Sequence, residues 1–178
     1  ADQGADVTLA LGPSSIPVER KDITVLPVTS AKEMFNVSTA VFEKMDIAVL
    51  SAAVADFRPE TVAAQKIKKA SGRDKMTLKL VKTEDILKTL GERKTDSQFL
   101  VGFALETQDG EKNAKKKLHS KNVDMIVLNT MNEAGVGFKT KTNKISIITK
   151  DDKVLDYELK PKKDVAADIL DVIYNKIK

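Results

Sequence analysis

Two groups of lysine residues in this sequence have the types and spacing needed to bind phosphate. Lys66 begins the run KIKK, and Lys117 and Lys121 lie four residues apart, so they would share one face of a helix. Lysine runs are more often solvated helix faces or loose nucleic-acid patches. Nucleic-acid-binding surfaces usually interleave aromatic residues, which make up 4% of this chain and do not occur in residues 112–121. The lysines therefore attract phosphates or are simply solvated, and a nucleic-acid ligand is disfavoured.

Polar side chains also follow three apolar runs that have the character of buried strands. In a parallel sheet, ligands bind beyond the carboxyl ends of the strands, so these side chains are expected to converge. They are Ser51 and Asp56 after residues 46–51, Glu106 and Thr107 after residues 99–104, and Asn129 after residues 123–128. The small residues at 51–55 would let a ligand approach the backbone closely. Each side chain alone could instead cap a helix or stabilise a turn, and Asp56 could pair with Arg58.

Composition limits the chemistry that these residues can support. The chain has no cysteine and a single histidine, which excludes a thiol nucleophile or a thiolate metal site and disfavours a Ser-His-Asp triad. An enzyme of this composition must work with lysine, carboxylate, amide and backbone groups. No apolar run approaches the roughly 20 residues of a membrane span, and the first residues lack the features of a signal peptide. We expect a cytoplasmic protein.

The elements that would position these residues alternate along the chain. Strands are predicted at residues 7–11, 23–28, 46–51, 99–104 and 123–129, and helices from Ser30 to about Met45, Thr83 to Arg93, Asp109 to Lys121 and Pro161 to the C-terminus. Such alternation predicts a Rossmann-like α/β fold with a doubly wound, mainly parallel sheet. Residues 75–82 and a hairpin at 144–159, turning at Asp151-Asp152, are predicted to add antiparallel strands or an arm. No linker divides residues 1–178, so a single nucleotide-binding domain is predicted.

Five segments of the sequence resemble a known family. They are SAAVADFRP at 51–59, KIKK at 66–69, LVKTEDIL at 80–87, VGFALET at 101–107, and VLNT at 127–130 followed by Gly137-Phe138. In this order and spacing they closely resemble the motifs of bacterial phosphopantothenoylcysteine synthetase, the ligase domain of the bifunctional flavoprotein of coenzyme A biosynthesis. The resemblance covers nearly the whole chain. Family members begin with a further strand and a glycine-rich loop, which this sequence lacks, so the activity of this chain by itself is left open.

The resemblance implies a reaction and its participants. The family activates 4′-phosphopantothenate with CTP and Mg²⁺ as an acyl-cytidylate, and the amine of cysteine then displaces CMP. It also implies a homodimer and a fused or separate flavin-dependent decarboxylase. An NAD(P)-dependent reductase shares the fold class, but the chain has neither a Tyr-x-x-x-Lys pair nor an intact G-x-G-x-x-G. A non-catalytic interaction module is the other alternative.

The same resemblance implies a set of site residues. Lys66 would stabilise charge on the α-phosphate, and Asp56 would hold Mg²⁺ or, failing that, the ribose. The remaining nucleotide contacts would be Leu50, Ser51, Ala52, Glu84, Asp85, Ile86, Leu87, Phe103, Lys117 and Lys121, and Asn129 would bind phosphopantothenate. Phe103 could instead be a core residue, and Lys68 and Lys69 could be solvated surface charges. His119 is expected at the surface.

Overall fold

The computed structural model describes residues 1–67, 75–106, 109–130 and 140–178. The chain divides into two compact units. The first unit comprises residues 1–37 and 53–85, and the second comprises residues 38–52 and 86–178. Each unit is a distinct folded body, and the predicted single domain stays a prediction.

The secondary structure alternates as the sequence predicts. The helices are α1 (Ala31–Phe42), α2 (Ile86–Arg93), α3 (Gly110–Ser120) and α4 (Lys162–Ile177). The strands are β1 (Val7–Leu11), β2 (Ile23–Pro27), β3 (Ile47–Leu50), β4 (Phe57–Pro59), β5 (Leu80–Lys82), β6 (Phe99–Glu106), β7 (Met125–Thr130), β8 (Thr142–Asn143), β9 (Ile145–Thr149), β10 (Val154–Asp156) and β11 (Lys160–Pro161).

The first unit contains two small sheets. Strands β1 and β2 pair in parallel, whereas β4 and β5 pair antiparallel, with Phe57 opposite Lys82. The predicted antiparallel addition at residues 75–82 is therefore confirmed for Leu80–Lys82. Exposed apolar side chains occur on both strands of this ribbon, since Phe57 and Leu80 are each 52% exposed.

Helix α1 begins with the predicted capping box. Ser30 Oγ accepts the backbone N–H of Glu33 at 3.2 Å, and Glu33 Oε2 accepts the backbone N–H groups of Thr29 and Ser30 at 2.6 and 3.2 Å. The Thr29 hydroxyl donates to the same oxygen, and these bonds, the backbone bond from Thr29 foremost, lower the pKa of Glu33. The helix ends at Phe42 rather than the predicted Met45. Its last turn tightens because Lys44 and Met45 donate to carbonyls three residues back, at Val41 and Phe42.

The second unit is built on a five-stranded sheet in the order β10-β9-β7-β6-β3. Strands β3, β6 and β7 run parallel, and β9 and β10 add antiparallel strands at one edge. The hairpin β9–β10 confirms the prediction at 144–159, and Asp152 takes the left-handed conformation in its turn, with φ 60°. Strand β3 is less buried than predicted, because it is an edge strand of this sheet: Ile47 is 38% exposed and Val49 46%.

The core of the second unit lies between its sheet and α4. Strands β6, β7 and β9 supply Val101, Met125, Val127, Ile145 and Ile147, and α4 supplies the four residues that its helical spacing predicts: Val165, Ile169, Val172 and Ile173. Helices α3 and α4 match their predicted ends closely. Helix α2 begins three residues after the predicted Thr83, because Thr83 donates its N–H to Asp56 O instead of entering the helix.

A buried ion pair joins α2 to the link between β6 and β7. Lys94 Nζ lies 2.8 Å from both carboxylate oxygens of Asp124, and their side chains are only 6% and 12% exposed. Asp124 also accepts the backbone N–H of Leu100 at 2.8 Å. These bonds fix the start of two adjacent parallel strands.

Among the described residues, no helix is long and apolar enough to cross a membrane.

Candidate functional site

The carboxyl end of β3 is held against the middle of β6 by close packing at a glycine. Leu50 is paired in register with Gly102, and a methyl group added at Gly102 would lie 2.6 Å from Leu87 Cδ2 and 2.9 Å from Ile126 Cδ1. Only glycine lets the start of α2 pack this closely on the sheet. The structure therefore brings together two of the predicted nucleotide contacts, Leu50 and Leu87.

The residues flanking this contact differ in exposure. Ser51 and Ala52 follow β3 and are exposed, so their backbone is open to a ligand. Ile86 and Leu87 are both 8% exposed at the first turn of α2, where backbone N–H groups lack helical partners. Any nucleotide contact from these two residues would use the backbone more readily than the buried side chains.

Lys117 on α3 contacts β6 one residue after Gly102. Its Nζ donates to the backbone carbonyl of Phe103 at 2.9 Å, so these two predicted contacts also meet. The ring of Phe103 packs against the core cluster beneath α4, which agrees with its alternative role as a core residue. Lys121 stands at the C-cap of α3, and its N–H bonds Lys117 O. The two lysines keep their predicted four-residue spacing on the helix.

Asn129 lies in β7, paired with Leu105 and Ile145, and is a strand residue rather than a turn residue. Its Oδ1 is buried and has no hydrogen-bond donor among the described residues.

His119 lies at the surface as predicted, 54% exposed, with Nε2 2.9 Å from Asp152 Oδ1.

The first unit contains Asp56, Lys66, Glu84 and Asp85. Thr83 ties the loop around Asp56 to the segment around Glu84, because its N–H donates to Asp56 O at 2.9 Å and its hydroxyl donates to Ala55 O at 2.6 Å. Asp56 is exposed, and its carboxylate has no hydrogen bond or ion pair within the described parts of the chain. The alternative pairing with Arg58 is not formed, since Arg58 Nη1 donates to Pro59 O.

Glu84 has a partner that the sequence did not suggest. Lys32 Nζ lies 2.6 Å from Glu84 Oε1, and this hydrogen bond is the main reason that the pKa of Glu84 is lowered. Asp85 directly precedes the first residue of α2. The pairing joins α1 to the loop before α2, and no local pattern could predict it because 52 positions separate the two residues.

Lys66 is exposed, and its ammonium forms no ion pair with any residue that the structure describes. A cation without a counter-ion suits the predicted role toward phosphate. Lys68, Lys69, Thr107 and Gly137-Phe138 lie outside the described residues.

The described residues contain no preformed metal cage, since no three histidine or acidic side chains cluster there. The unpaired carboxylate of Asp56 nevertheless fits Mg²⁺, which usually takes one or two carboxylates and completes its shell with phosphate oxygens and water.

The second unit also has an open cleft of about 650 Å³ at the other end of its strands. Residues 96–99 and Asp124 line it, next to the first residues of β6 and β7, together with Lys150, Asp151 and Lys176. In this cleft Asp124 forms an ion pair with Lys94, and Lys176 forms one with Asp151 at 2.9 Å. Within this unit we assign the site to the opposite, carboxyl ends of the parallel strands, because Asn129 Oδ1 lacks a donor there among the described residues and parallel sheets bind ligands at that edge.

Sequence reasoning missed three residues that contact or position predicted site residues: Lys32 and Thr83 in the first unit and Gly102 in the second. A glycine inside a buried strand run is a recognised signal of close approach, so Gly102 could have been found. Lys32 and Thr83 carry no such signal, because their partners are distant in sequence.

Comparisons with known proteins identify relatives of this chain. The model of the family described as DNA/pantothenate metabolism flavoprotein C-terminal domain matches residues 1–177. A protein from an unidentified prokaryotic organism, named cysteine/cysteine sulfinic acid decarboxylase, is 50% identical over 96% of this chain and 47% of its own length. The coenzyme A biosynthesis bifunctional protein CoaBC of Bacillus subtilis strain 168 is 45% identical over 96% of this chain and 41% of its own length.

A solved structure extends the likeness to three dimensions. The crystal structure of the C-terminal domain of a coenzyme A biosynthesis bifunctional protein CoaBC superimposes with a TM-score of 0.80 at 37% identity, covering 99% of this chain and 78% of that one. This match confirms the predicted Rossmann-like α/β fold. The chain spans less than half the length of the two curated relatives. Because the family model covers residues 1–177, the chain belongs to the family of DNA/pantothenate metabolism flavoprotein C-terminal domains.

Proposed function

We propose that this chain carries the phosphopantothenate–cysteine ligase activity of coenzyme A biosynthesis. The observation that carries the proposal is the family match over residues 1–177, together with the 45% identity to a CoaBC protein over nearly the whole chain. The decarboxylase name of the other relative applies to a protein about twice as long, of which this chain matches 47%. A fused or separate decarboxylase half is therefore part of the proposal as a partner.

The proposed reaction has two steps. An oxygen of the phosphopantothenate carboxylate attacks the α-phosphorus of CTP, and the bond to the β-phosphate breaks, releasing pyrophosphate. The amine of cysteine then attacks the acyl carbon, the bond to the phosphate oxygen breaks, CMP leaves, and the nitrogen loses a proton to solvent. Mg²⁺, when bound, would neutralise charge on the phosphate oxygens.

The chain's own residues take the following roles in this proposal. Lys66 places a cation where negative charge grows on the α-phosphate, so it stabilises the transition state more than the bound substrate. Lys117 and Lys121 hold the triphosphate, for which Lys117 would exchange its bond to Phe103 O for a phosphate oxygen. Asp56 holds Mg²⁺ through its unpaired carboxylate.

Base recognition is assigned to the backbone after β3. The exposed backbone of residues 50–52 would read the small pyrimidine edge and leave little room for a purine. We expect CTP, and not ATP, to raise the melting temperature of the protein. Equal shifts with both nucleotides would refute this preference.

The proposal also includes a homodimer and a cytoplasmic location. The β9–β10 hairpin ends in a short edge strand, and an exposed edge needs a cover or a partner. Light scattering should give the mass of a dimer at micromolar concentration, and a monomer mass would contradict it.

The direct test follows pyrophosphate in a single turnover of the complete gene product. With phosphopantothenate, CTP and Mg²⁺ present and cysteine omitted, we expect pyrophosphate release, and adding cysteine should then release CMP and the ligated product. A thermal shift with NADPH but not CTP would indicate a reductase instead, and no response to either nucleotide would indicate an interaction module.

A further inference from the structure

Two buried amide oxygens in the second unit lack hydrogen-bond donors. They are Oδ1 of Asn129 and Oδ1 of Asn143, and neither has a partner among the described residues. Asn143 is only 8% exposed. Buried acceptors in folded proteins are almost always satisfied, so an unsatisfied one needs a reason, such as a bound ligand or water.

Asn129 lies in β7 of the five-stranded sheet, and Asn143 lies in β8, which pairs with β11 and leads directly into β9. Asn129 is the last residue of β7 that pairs with β9, opposite Ile145, and Asn143 precedes Ile145 by two residues. Two residues of extended chain span about 7 Å, so both amides lie at the carboxyl end of β7. Leu50, a predicted nucleotide contact, lies at the carboxyl end of β3 in the same five-stranded sheet as β7.

An ion pair lies beside Asn143. Lys160 is the cross-strand partner of Asn143, and its Nζ lies 2.7 Å from Asp168 Oδ2. The pKa of Lys160 is raised, mainly by this bond to Asp168. Asn143 therefore lies beside a neutralised ion pair, and a neutral acceptor in such surroundings suits a neutral donor better than an ammonium ion.

We propose that Asn143, together with Asn129, binds the hydrogen-bond donors of the pantoyl end of the acyl substrate. This inference rests on the proposed function. In 4′-phosphopantothenate the phosphate and the carboxylate can only accept hydrogen bonds in their ionised forms, whereas the secondary hydroxyl and the neighbouring amide N–H are donors separated by three bonds. Two adjacent donors match two orphaned acceptors, and binding would satisfy both.

Asn143 is accordingly a specificity residue for the acyl substrate and has no part in nucleotide binding. A substrate that lacks either donor would leave a buried oxygen unpaired and bind more weakly. The Asn129 and Asn143 amides would thus select the hydroxy-amide of the pantoyl group over simple carboxylic acids.

The test measures KM in the complete gene product for phosphopantothenate and two analogues. One analogue has an ester oxygen in place of the amide N–H, and the other lacks the secondary hydroxyl. For the wild-type enzyme we expect each analogue to raise KM about 3- to 10-fold, the loss of one neutral hydrogen bond. Asn143→Leu should raise KM for phosphopantothenate by a similar factor and abolish the response to one of the two analogues, with KM for CTP unchanged.

Asn175→Leu is the matched control, because Asn175 is exposed on α4. The analogue series on the wild-type enzyme needs no substitution, so it remains decisive if Asn143→Leu fails to fold. Two results would overturn the proposal and indicate that a buried water satisfies the amides. One is equal KM values for the substrate and both analogues. The other is an Asn143→Leu enzyme that is less stable but keeps its KM and both analogue responses. A wild-type enzyme that releases no pyrophosphate with CTP would instead overturn the proposed function and this inference with it.

Discussion

The ion pair between Lys94 and Asp124 offers the sharpest test of how the second unit is stabilised. We consider Asp124→Asn, which removes the charge but keeps an oxygen able to accept the N–H of Leu100. Lys94 would then be a buried ammonium with only neutral acceptors among the described residues, Gln98 O at 3.2 Å and the amide oxygen of the new side chain. Leaving one charge of a buried pair uncompensated typically costs about 3–5 kcal/mol, and the retained acceptor puts this variant near 3 kcal/mol.

The reverse variant should be milder. Lys94→Met leaves Asp124 with the N–H of Leu100 and with Lys150, whose Nζ lies 3.5 Å away and whose side chain is 58% exposed. We expect a loss of about 2 kcal/mol, because this carboxylate keeps a hydrogen bond and a nearby cation. The double variant should cost about 3 kcal/mol rather than the sum, since it leaves no buried charge unpaired.

Urea unfolding followed by tyrosine fluorescence measures the free energy of unfolding of the second unit, which contains the ion pair. The chain has no tryptophan, and its two tyrosines, Tyr157 and Tyr174, both lie in the second unit. With a slope of about 2 kcal/mol per molar urea, Asp124→Asn should lower the midpoint by about 1.5 M. Glu92→Gln is the control, because Glu92 pairs with Lys88 at 3.7 Å on the surface and should cost at most about 0.5 kcal/mol. Additive single-variant costs, or a loss below about 1 kcal/mol for Asp124→Asn, would refute the reasoning.

Three further predictions follow from the described contacts. Lys66→Gln should slow pyrophosphate release about a hundredfold while weakening CTP binding only modestly, whereas Lys117→Gln should act mainly on CTP affinity. Lys21→Gln is the control, because Lys21 is exposed. Normal pyrophosphate release by Lys66→Gln would show that another residue supplies the catalytic cation. The lowered pKa of Glu33 means that its capping bonds stabilise α1 above its ordinary value of 4.5 and are lost as the pH falls below it. Amide-exchange protection of the first turn of α1 should therefore fall with acid in the wild type and stay level in Glu33→Gln. Gly91→Ala should lower the melting temperature more than Gly102→Ala does, because its methyl would lie 1.8 Å from the backbone oxygen of Lys121, and backbone cannot move aside as a side chain can.

Local patterns were sufficient to predict most elements of the fold. The capping box at Ser30 and the helical spacing of Val165, Ile169 and Val172 are short-range signals, and both are confirmed. The misplaced ends have long-range causes. Thr83 bonds Ala55 and Asp56 instead of starting α2, and a contact between positions so distant leaves no mark in the local sequence.

The candidate site was predictable where strand order alone decides proximity. Leu50 is the last residue of β3 and Asn129 the last but one of β7, as the alternation of strands and helices predicts, whereas Phe103 lies in the middle of β6. The partners of charged side chains were not predictable, because an ion pair such as Lys32–Glu84 depends on how distant loops fold back.

The pairing of β3 with β6 sets a waiting time during synthesis of the protein on the ribosome. Ile47 pairs with Phe99, so about 50 residues must be translated after β3 before its partner exists. At roughly 5–20 residues per second, this apolar strand stays unpaired for about 3–10 s as the nascent chain lengthens. During that interval its backbone N–H and C=O groups can pair with any other strand edge, including that of a neighbouring nascent chain. Rare codons between positions 50 and 99 would lengthen the exposure and raise the aggregated fraction on expression, without changing a single residue.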